Sequence, residues 1–181
     1  GGAGGNGGTG GIGGNGGLGG AGGNGTAVIG QLNGAAGGTG GHIFPALASA
    51  QALQKSGAQI FWLGSRHGLE GGLVPPEYAL QSVTIRGLRR TGWRQKLAAP
   101  WQLVRAVLQA YRIIQRVRPQ VVLAMGGYVA APGGIAAFLA RKKLIIHEQN
   151  ARAGFTNRCL AYLATVRLQA FEGTLREPAV T

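Results

Sequence analysis

Three short segments carry the residue types that phosphate binding and proton transfer require. The first, residues 37–42 with the sequence GGTGGH, precedes a predicted helix. Successive glycines let backbone N–H groups approach an anion, and a helix N-terminus adds partial positive charge. The segment lacks the Lys-Ser/Thr of a P-loop and the third glycine of the dinucleotide fingerprint. It therefore predicts either an anion-binding loop or a plain tight turn.

Each of the other two segments follows an apolar run. Residues 125–128 (MGGY) together with residues 132–134 (PGG) predict a second glycine turn between a strand and a helix. Residues 147–150 (HEQN) form the third segment, in which His147 and Glu148 either act on a ligand or only orient loops. The sequence has no HExxH or CxxC spacing, so we predict no protein-bound metal.

Alternating strands and helices are predicted to position these segments. The predicted strands are 59–63, 82–85, 120–124, 143–147 and 165–169. The predicted helices are 42–56, 94–117, 132–140 and 154–163. This alternation predicts an α/β fold, a Rossmann-like parallel sheet with helices on both faces. Such sheets bind ligands at the carboxyl ends of their strands, where the three segments would lie.

The first strand of this sheet is poorly encoded. Within residues 26–36 (TAVIGQLNGAA), the apolar residues 27–29 stand far before the glycine loop. Residues 32–36 place Asn and Gly where a buried strand prefers Val or Ile. The pattern therefore predicts no good central strand here.

The first 25 residues differ from the rest of the chain. They are a strict Gly-Gly-X repeat with 17 glycines. Glycine loses more conformational entropy on folding than any other residue, so the repeat predicts a low-complexity, disordered tail. A bundle of extended polyglycine-like helices is the alternative. We therefore divide the chain into a tail, 1–25, and one Rossmann-like domain, 26–181.

The charge of the chain points to an anionic partner. The net charge is +13, with 18 Lys and Arg against five acidic residues, all Glu. Nucleic acid, a membrane surface and a phosphorylated ligand all fit this charge. The lack of Asp excludes Asp-based metal sites, and the single cysteine excludes an internal disulfide. The sequence predicts no signal peptide and no membrane-spanning helix.

One predicted helix combines basic and apolar residues. Its apolar stripe comprises Trp93, Leu97, Trp101, Val104 and Leu108. A separate set available to the core comprises Leu103, Val107, Ile113, Ile114 and Val117. The stripe either faces the core or lies at a lipid headgroup boundary, where Trp and Arg are favoured. No recognised nucleic-acid-binding motif is present, so we predict no nucleic-acid partner.

Taken together, these motifs resemble the MurG family of peptidoglycan N-acetylglucosaminyltransferases. The resemblance rests on GGTGGH, MGGY, PGG and HEQN in order, with residues 156–158 (TNR), and covers about 32–173. It implies the N-terminal half of a GT-B fold that needs no cofactor and no metal. It also implies transfer of N-acetylglucosamine from UDP-N-acetylglucosamine to lipid I, which yields lipid II.

The resemblance further implies residue roles. His42 would be the general base near the acceptor hydroxyl, unless it only orders its loop, and Glu148 would belong to the catalytic site with Tyr128 on the acceptor side. Thr39, Gly40 and Gly41 would line the donor-facing loop, and Asn150 would contact the donor sugar. Gly126 and Gly127 would bind the acceptor diphosphate. The expected membrane contacts are Trp93, Arg94, Leu97, Trp101, Val104 and Arg105.

The resemblance implies a location and a missing part as well. The protein would bind peripherally to the anionic cytoplasmic face of the cell membrane. The family's C-terminal donor-binding domain has no counterpart in this sequence, so we expect little turnover by this chain alone. The alternatives are a non-catalytic membrane- or acceptor-binding fragment, and a surface protein whose function lies in the Gly-Gly-X tract.

Overall fold

The structure, a computed structural model, describes residues 26–30, 43–65, 74–84, 93–127 and 130–181. Its strands are β1 (Thr26–Gly30), β2 (Gln59–Ser65), β3 (Ala79–Val83), β4 (Val121–Ala124), β5 (Lys143–Glu148) and β6 (Val166–Gln169). Its helices are α1 (Ile43–Lys55), α2 (Trp93–Val117), α3 (Ala130–Leu139) and α4 (Phe155–Leu160). The strands form one parallel sheet in the order β3-β2-β1-β4-β5-β6. This architecture confirms the predicted fold class.

The helices cover both faces of the sheet. Because side chains alternate along a strand, neighbouring residues enter different cores. Trp62 on β2 joins the cluster beneath α1, whereas Leu63 joins the cluster beneath α2 and α3. On β4, Leu123 joins the cluster beneath α1 and Val122 joins the cluster beneath α2 and α3. Burial on both faces explains why these strands read as continuous apolar runs.

The prediction for the first strand was wrong. Residues 26–30 form β1 at the centre of the sheet, paired with β2 on one side and β4 on the other. A five-residue strand with backbone pairing on both sides does not need strong intrinsic preference, because tertiary context outweighs β-propensity. The glycine loop was expected directly after the strand, but 12 residues separate Gly30 from α1.

The third strand is shifted from its predicted position. It was predicted at 82–85, but it spans Ala79–Val83. Pairing with β2 runs from Phe61 opposite Ala79 to Ser65 opposite Val83, so the end of β2 sets the end of β3. Register with a neighbour, which propensity does not encode, decides this boundary.

The PGG segment lies in a helix, as the predicted helix 132–140 indicated, and not in the turn that it was expected to form with MGGY. Pro132 lies in the first turn of α3, where a proline needs no hydrogen-bond partner for its nitrogen. Gly133 and Gly134 are buried in the same helix. A Cβ atom on Gly133 would lie 2.8 Å from Leu63 Cδ2, and one on Gly134 would lie 2.6 Å from Leu160 Cδ2. The two glycines therefore allow α3 to pack closely against β2 and α4.

Substitution of Gly134 by Ala should destabilise the fold. In an exposed helix this change would add about 1 kcal/mol of stability, but overpacking a core costs about 1–3 kcal/mol. Leu160 is buried and its side chain has little room to move, so we expect a net loss of about 1 kcal/mol in the free energy of unfolding. Urea denaturation measures this loss. Leu160→Val should relieve the clash, so the double variant should lose less than the sum of the single variants; an increase in stability on Gly134→Ala would contradict the prediction.

Candidate functional site

The order of the strands places a candidate site between β1 and β4. Strand order reverses there, and doubly wound sheets bind ligands in the crevice at the carboxyl ends of such strands. The MGGY segment follows β4, and the HEQN segment begins within β5, the neighbour of β4. Adjacent strands are about 4.8 Å apart, so the two segments lie side by side at this edge. Two of the three sequence motifs thus meet at the expected position.

Gly126 and Gly127 form a turn that most other residues would strain. Their φ angles are +94° and +82°. Side chains with a Cβ atom rarely adopt such angles, whereas glycine adopts them freely. The turn lies directly beyond β4 with Gly126 buried. The two glycines therefore allow the backbone to turn sharply at the edge of the sheet.

The buried carboxylate of Glu148 holds the HEQN loop and the residues after it through hydrogen bonds. Its side chain is 1% exposed at the end of β5, on the strand face that also carries Leu144 and Ile146. Oε1 accepts hydrogen bonds from the backbone N–H of Asn150 at 3.0 Å and from Asn150 Nδ2 at 2.8 Å. Oε2 accepts from the backbone N–H of Gly154 at 3.0 Å and from Asn157 Nδ2 at 3.0 Å. All four donors are neutral amides.

His147 precedes Glu148 and is half-buried. Burial lowers its pKa below the usual value of about 6.5, while the Glu148 charge and a hydrogen bond with Gln149 oppose this effect more weakly. The unfolded chain therefore binds a proton at His147 more readily than the folded chain does. The contribution of this residue to the free energy of unfolding is therefore fully present above about pH 6.5 and decreases as the pH falls below that value.

His147→Gln should flatten this pH dependence. Between about pH 7.5 and about pH 5.5 the wild-type free energy of unfolding should fall, and the variant should lose part of this slope. Denaturant unfolding at several pH values measures both slopes. His67→Gln serves as the control because it removes another histidine outside the HEQN loop. Equal slopes in wild type and His147→Gln would contradict the prediction.

Helix α2 exposes the described part of the apolar stripe. Trp101 is 66% exposed, and Val104 and Leu108 are about half exposed, with exposed Arg105 between them. The opposite side of the helix is buried through Ala106, Ala110, Ile113 and Ile114. This placement favours the interpretation that the stripe faces away from the core.

Leu103 was predicted in the core set, but it is 36% exposed. Among residues 99–117 of α2, the buried ones begin at Ala106, so the turn that carries Leu103 precedes the packed part of the helix. Ile113 and Ile114 are buried, and Val107 and Val117 pack against the core, as predicted.

Several predicted site residues lie outside the described residues. These are Thr39, Gly40, Gly41, His42 and Tyr128. The backbone of α2 includes Trp93, Arg94 and Leu97, whose side chains are likewise not described. Their roles stay predictions, as does the boundary between the tail, 1–25, and the domain, 26–181.

Sequence reasoning missed one buried residue beside Glu148 and two exposed apolar residues at the end of α3. Asn157 on α4 is fully buried against Glu148, although the sequence showed it only as part of the TNR segment. Phe138 and Leu139 at the end of α3 are about half exposed, and three basic residues follow at 141–143. An apolar pair shortly before a basic run was a readable signal for a second exposed apolar area.

A separate cavity of about 390 Å³ lies against the outer side of α4. Its lining includes Phe155, Arg158, Tyr162 and Arg176, with the Arg176 guanidinium 5.6 Å from the centroid of the Tyr162 ring. None of the predicted site residues lines this cavity, so we do not assign it to the candidate site.

Metal ligands and membrane spans were sought in the described part of the chain. No group of three or more His, Cys, Asp or Glu residues there could hold a metal ion. None of the helices in those ranges is both long and apolar enough to cross a membrane.

Fold and site together define a Rossmann-like ligand-binding domain with a glycine turn at its strand switch point. The chain belongs to the glycosyltransferase family 28 N-terminal domain family, whose pattern matches residues 34–168. This match confirms the resemblance that the motifs indicated.

Individual relatives agree with the family. A UDP-N-acetylglucosamine--N-acetylmuramyl-(pentapeptide) pyrophosphoryl-undecaprenol N-acetylglucosamine transferase of Alkalilimnicola ehrlichii is 54% identical over 143 residues, which cover 78% of this chain and 40% of the relative. The enzyme of the same name from Tolumonas auensis is 54% identical over 139 residues, 76% of this chain and 39% of the relative. The crystal structure of Acinetobacter baumannii MurG superposes with a TM-score of 0.74 at 39% identity, covering 87% of this chain and 45% of that one. The chain thus spans about 40% of the length of these curated relatives.

Proposed function

We propose that this chain is the acceptor-binding half of an enzyme that transfers N-acetylglucosamine from UDP-N-acetylglucosamine to lipid I. The observation that carries the proposal is the position of the Gly126-Gly127 turn at the strand switch point, with the HEQN loop at the end of the adjacent strand β5. The relatives that carry the reaction in their names are 54% identical to the chain over this region.

The glycine turn supports binding of the acceptor diphosphate. The positive φ angles of Gly126 and Gly127 let the chain turn sharply at the end of β4. Backbone N–H groups in such turns form concave anion sites without a charged side chain. Tyr128, the next residue, would shape the acceptor side of the same turn.

Proton transfer is assigned to His42. The acceptor hydroxyl must lose its proton as it attacks the anomeric carbon, and an imidazole that titrates near neutral pH suits this step. His42 directly precedes α1 in the sequence. The burial of Glu148 and its four hydrogen bonds support a positioning role for that residue instead of direct contact with substrate.

The donor side would be shared with a second half of the enzyme. Thr39, Gly40 and Gly41 would face the nucleotide sugar, and Asn150 would contact its sugar ring. Departing UDP carries negative charge, which fixed backbone donors stabilise. Because the chain matches about 40% of its relatives' length, we propose that a C-terminal donor-binding domain holds most of the nucleotide.

The exposed face of α2 would dock on the membrane that holds the lipid-linked acceptor. Trp101 and Val104 supply apolar contact, and Arg105 attracts anionic headgroups. We propose peripheral binding at the cytoplasmic face of the cell membrane, where Trp93, Arg94 and Leu97 would contribute as well.

A transfer assay tests the proposal. The chain is incubated with labelled UDP-N-acetylglucosamine and a lipid I analogue, alone and with the separately produced donor half of the Alkalilimnicola ehrlichii relative. Transfer only in the presence of the donor half is expected. A chimera in which the two halves are joined provides a second arm if they do not associate. A folded chimera without transfer would overturn the enzyme proposal and leave acceptor or membrane binding as the function.

A further inference from the structure

Asn157 connects the buried base of the HEQN loop to helix α4. Its side chain is fully buried, and Nδ2 donates hydrogen bonds to the His147 carbonyl oxygen and to Glu148 Oε2, both at 3.0 Å. A backbone carbonyl and an ionised carboxylate can only accept, so the chemistry itself requires the NH₂ group of Asn157 to face them. The orientation of this amide is therefore fixed.

The Glu148 carboxylate transmits this constraint to the loop. Oε2 is held by Asn157 and by the backbone N–H of Gly154, which leaves Oε1 directed at Asn150. Oε1 accepts from both the backbone N–H and Nδ2 of Asn150. An ionised carboxylate has about four acceptor positions, and here four donors fill them. The NH₂ group of Asn150 must consequently point inward.

The acceptor of this amide is Asn150 Oδ1. Asn150 is exposed, and one Nδ2 hydrogen is engaged by Glu148. An amide held in this way has a fixed orientation, with the NH₂ group on the side of Glu148 and Oδ1 on the other side. We infer that Asn157 is a positioning residue that, through Glu148, makes Asn150 present Oδ1 to a hydroxyl or amide N–H of the donor sugar. This inference rests on the proposed function, in which Asn150 contacts that sugar.

A purely structural role for Asn157 explains the contacts less well. Its Oδ1 is buried without a hydrogen-bond partner among the described residues. An unpaired buried acceptor destabilises a fold, so an apolar side chain would fill this position at lower cost. The neighbouring Leu160 supplies the apolar contact of α4 with the core. What Asn157 adds is the donor that holds Glu148.

Hydrogen exchange and NMR of the ¹⁵N-labelled full chain test the positioning step. Asn150 and Gly154 are exposed residues whose backbone N–H groups should nevertheless be protected by Glu148. Asn157→Asp replaces the NH₂ donor by an acceptor, and Asn157→Ser shortens the side chain. Each variant should speed exchange of the Asn150 and Gly154 backbone N–H groups about tenfold. Each should also shift the NMR signals of the Asn150 side-chain NH₂ group. Arg158→Ala, an exposed neighbour on the same helix, is the control and should change neither. Unchanged exchange in folded Asn157 variants would overturn the inference.

A selectivity measurement tests the ligand-facing step. The chain completed with the donor half is assayed with UDP-N-acetylglucosamine and with analogues in which one sugar hydroxyl is replaced by hydrogen or the acetamido N–H by oxygen. Wild type should discriminate against one analogue at least tenfold in kcat/KM, because that analogue lacks the donor for Asn150 Oδ1. The Asn157 variants should lose most of this discrimination while Arg158→Ala retains it. Wild-type transfer with equal discrimination in all variants would overturn the inference.

The two arms separate this inference from the proposed function. If the completed wild type transfers no sugar, the proposed function fails, and the assignment of a sugar as the ligand fails with it. Faster exchange in the Asn157 variants would then still support the positioning of Asn150. If transfer occurs and exchange is unchanged in the variants, the positioning role fails and the proposed function stands.

Discussion

His42→Ala should reduce sugar transfer by about 10²–10⁴-fold in kcat, the range that removal of a general base produces. The acceptor hydroxyl is a weak nucleophile until a base takes its proton, and alanine cannot do so. KM for UDP-N-acetylglucosamine should change little, because the imidazole acts on the acceptor. Steady-state kinetics of the chain completed with the donor half measures both constants.

His67→Ala is the matched control for this prediction. It removes a histidine that lies in none of the three motifs, so kcat should stay near that of wild type. Circular dichroism and the midpoint of urea unfolding verify that both variants fold. If His42→Ala retains most of its kcat, the imidazole orders the loop and is not the base. The glycine turn and the HEQN loop would then remain the supported parts of the site.

Trp101→Ala should weaken binding to anionic vesicles by at least about tenfold, because burial of a large apolar side chain contributes about 1.5–3 kcal/mol. Arg105→Ala should weaken it by about fivefold, since one basic residue near an anionic surface contributes about 1 kcal/mol. Only the arginine effect should diminish as salt is raised. Cosedimentation with vesicles that contain anionic lipid measures these changes.

Two exposed residues at the cavity beside α4, one apolar and one basic, serve as controls for the membrane prediction. Phe155 is 82% exposed and Arg176 is exposed, yet neither lies on α2. Phe155→Ala and Arg176→Ala should bind vesicles like wild type. An equal loss in these variants would show that total hydrophobicity and charge, and not the α2 face, govern binding. Binding that is independent of Trp101 would remove α2 from the proposed contact.

The sequence predicted elements well where burial leaves a local pattern. Strands β2, β4 and β5 are apolar runs because both of their faces are covered, and the long helix α2 shows a helical spacing of apolar residues. Prediction from sequence failed for the strands whose position depends on pairing with neighbouring strands. Strand β1 is short and holds its position through neighbours on both sides, and β3 ends where β2 ends. Neither neighbour is visible in a local window of sequence.

The same distinction applies to the candidate site. Motif chemistry indicated the Gly126-Gly127 turn and Asn150, because glycine at a strand end and amides in loops are readable from residue type alone. It assigned Glu148 to the catalytic group, whereas the structure surrounds this carboxylate with donors from Asn150, Gly154 and Asn157. These donors come from positions two to nine residues away that only the packing of α4 on the sheet brings together.

By itself the sequence determined the class of fold, the three motifs and their order, and therefore the family. Such information resides in residue types and short spacings, which local conformational preferences convert directly into turns, strands and helices. The tertiary structure alone decided that the PGG glycines serve helix packing against Leu63 and Leu160. It also decided that Asn157 lies under Glu148. Both are contacts between separate elements, and their distances depend on how the whole chain packs.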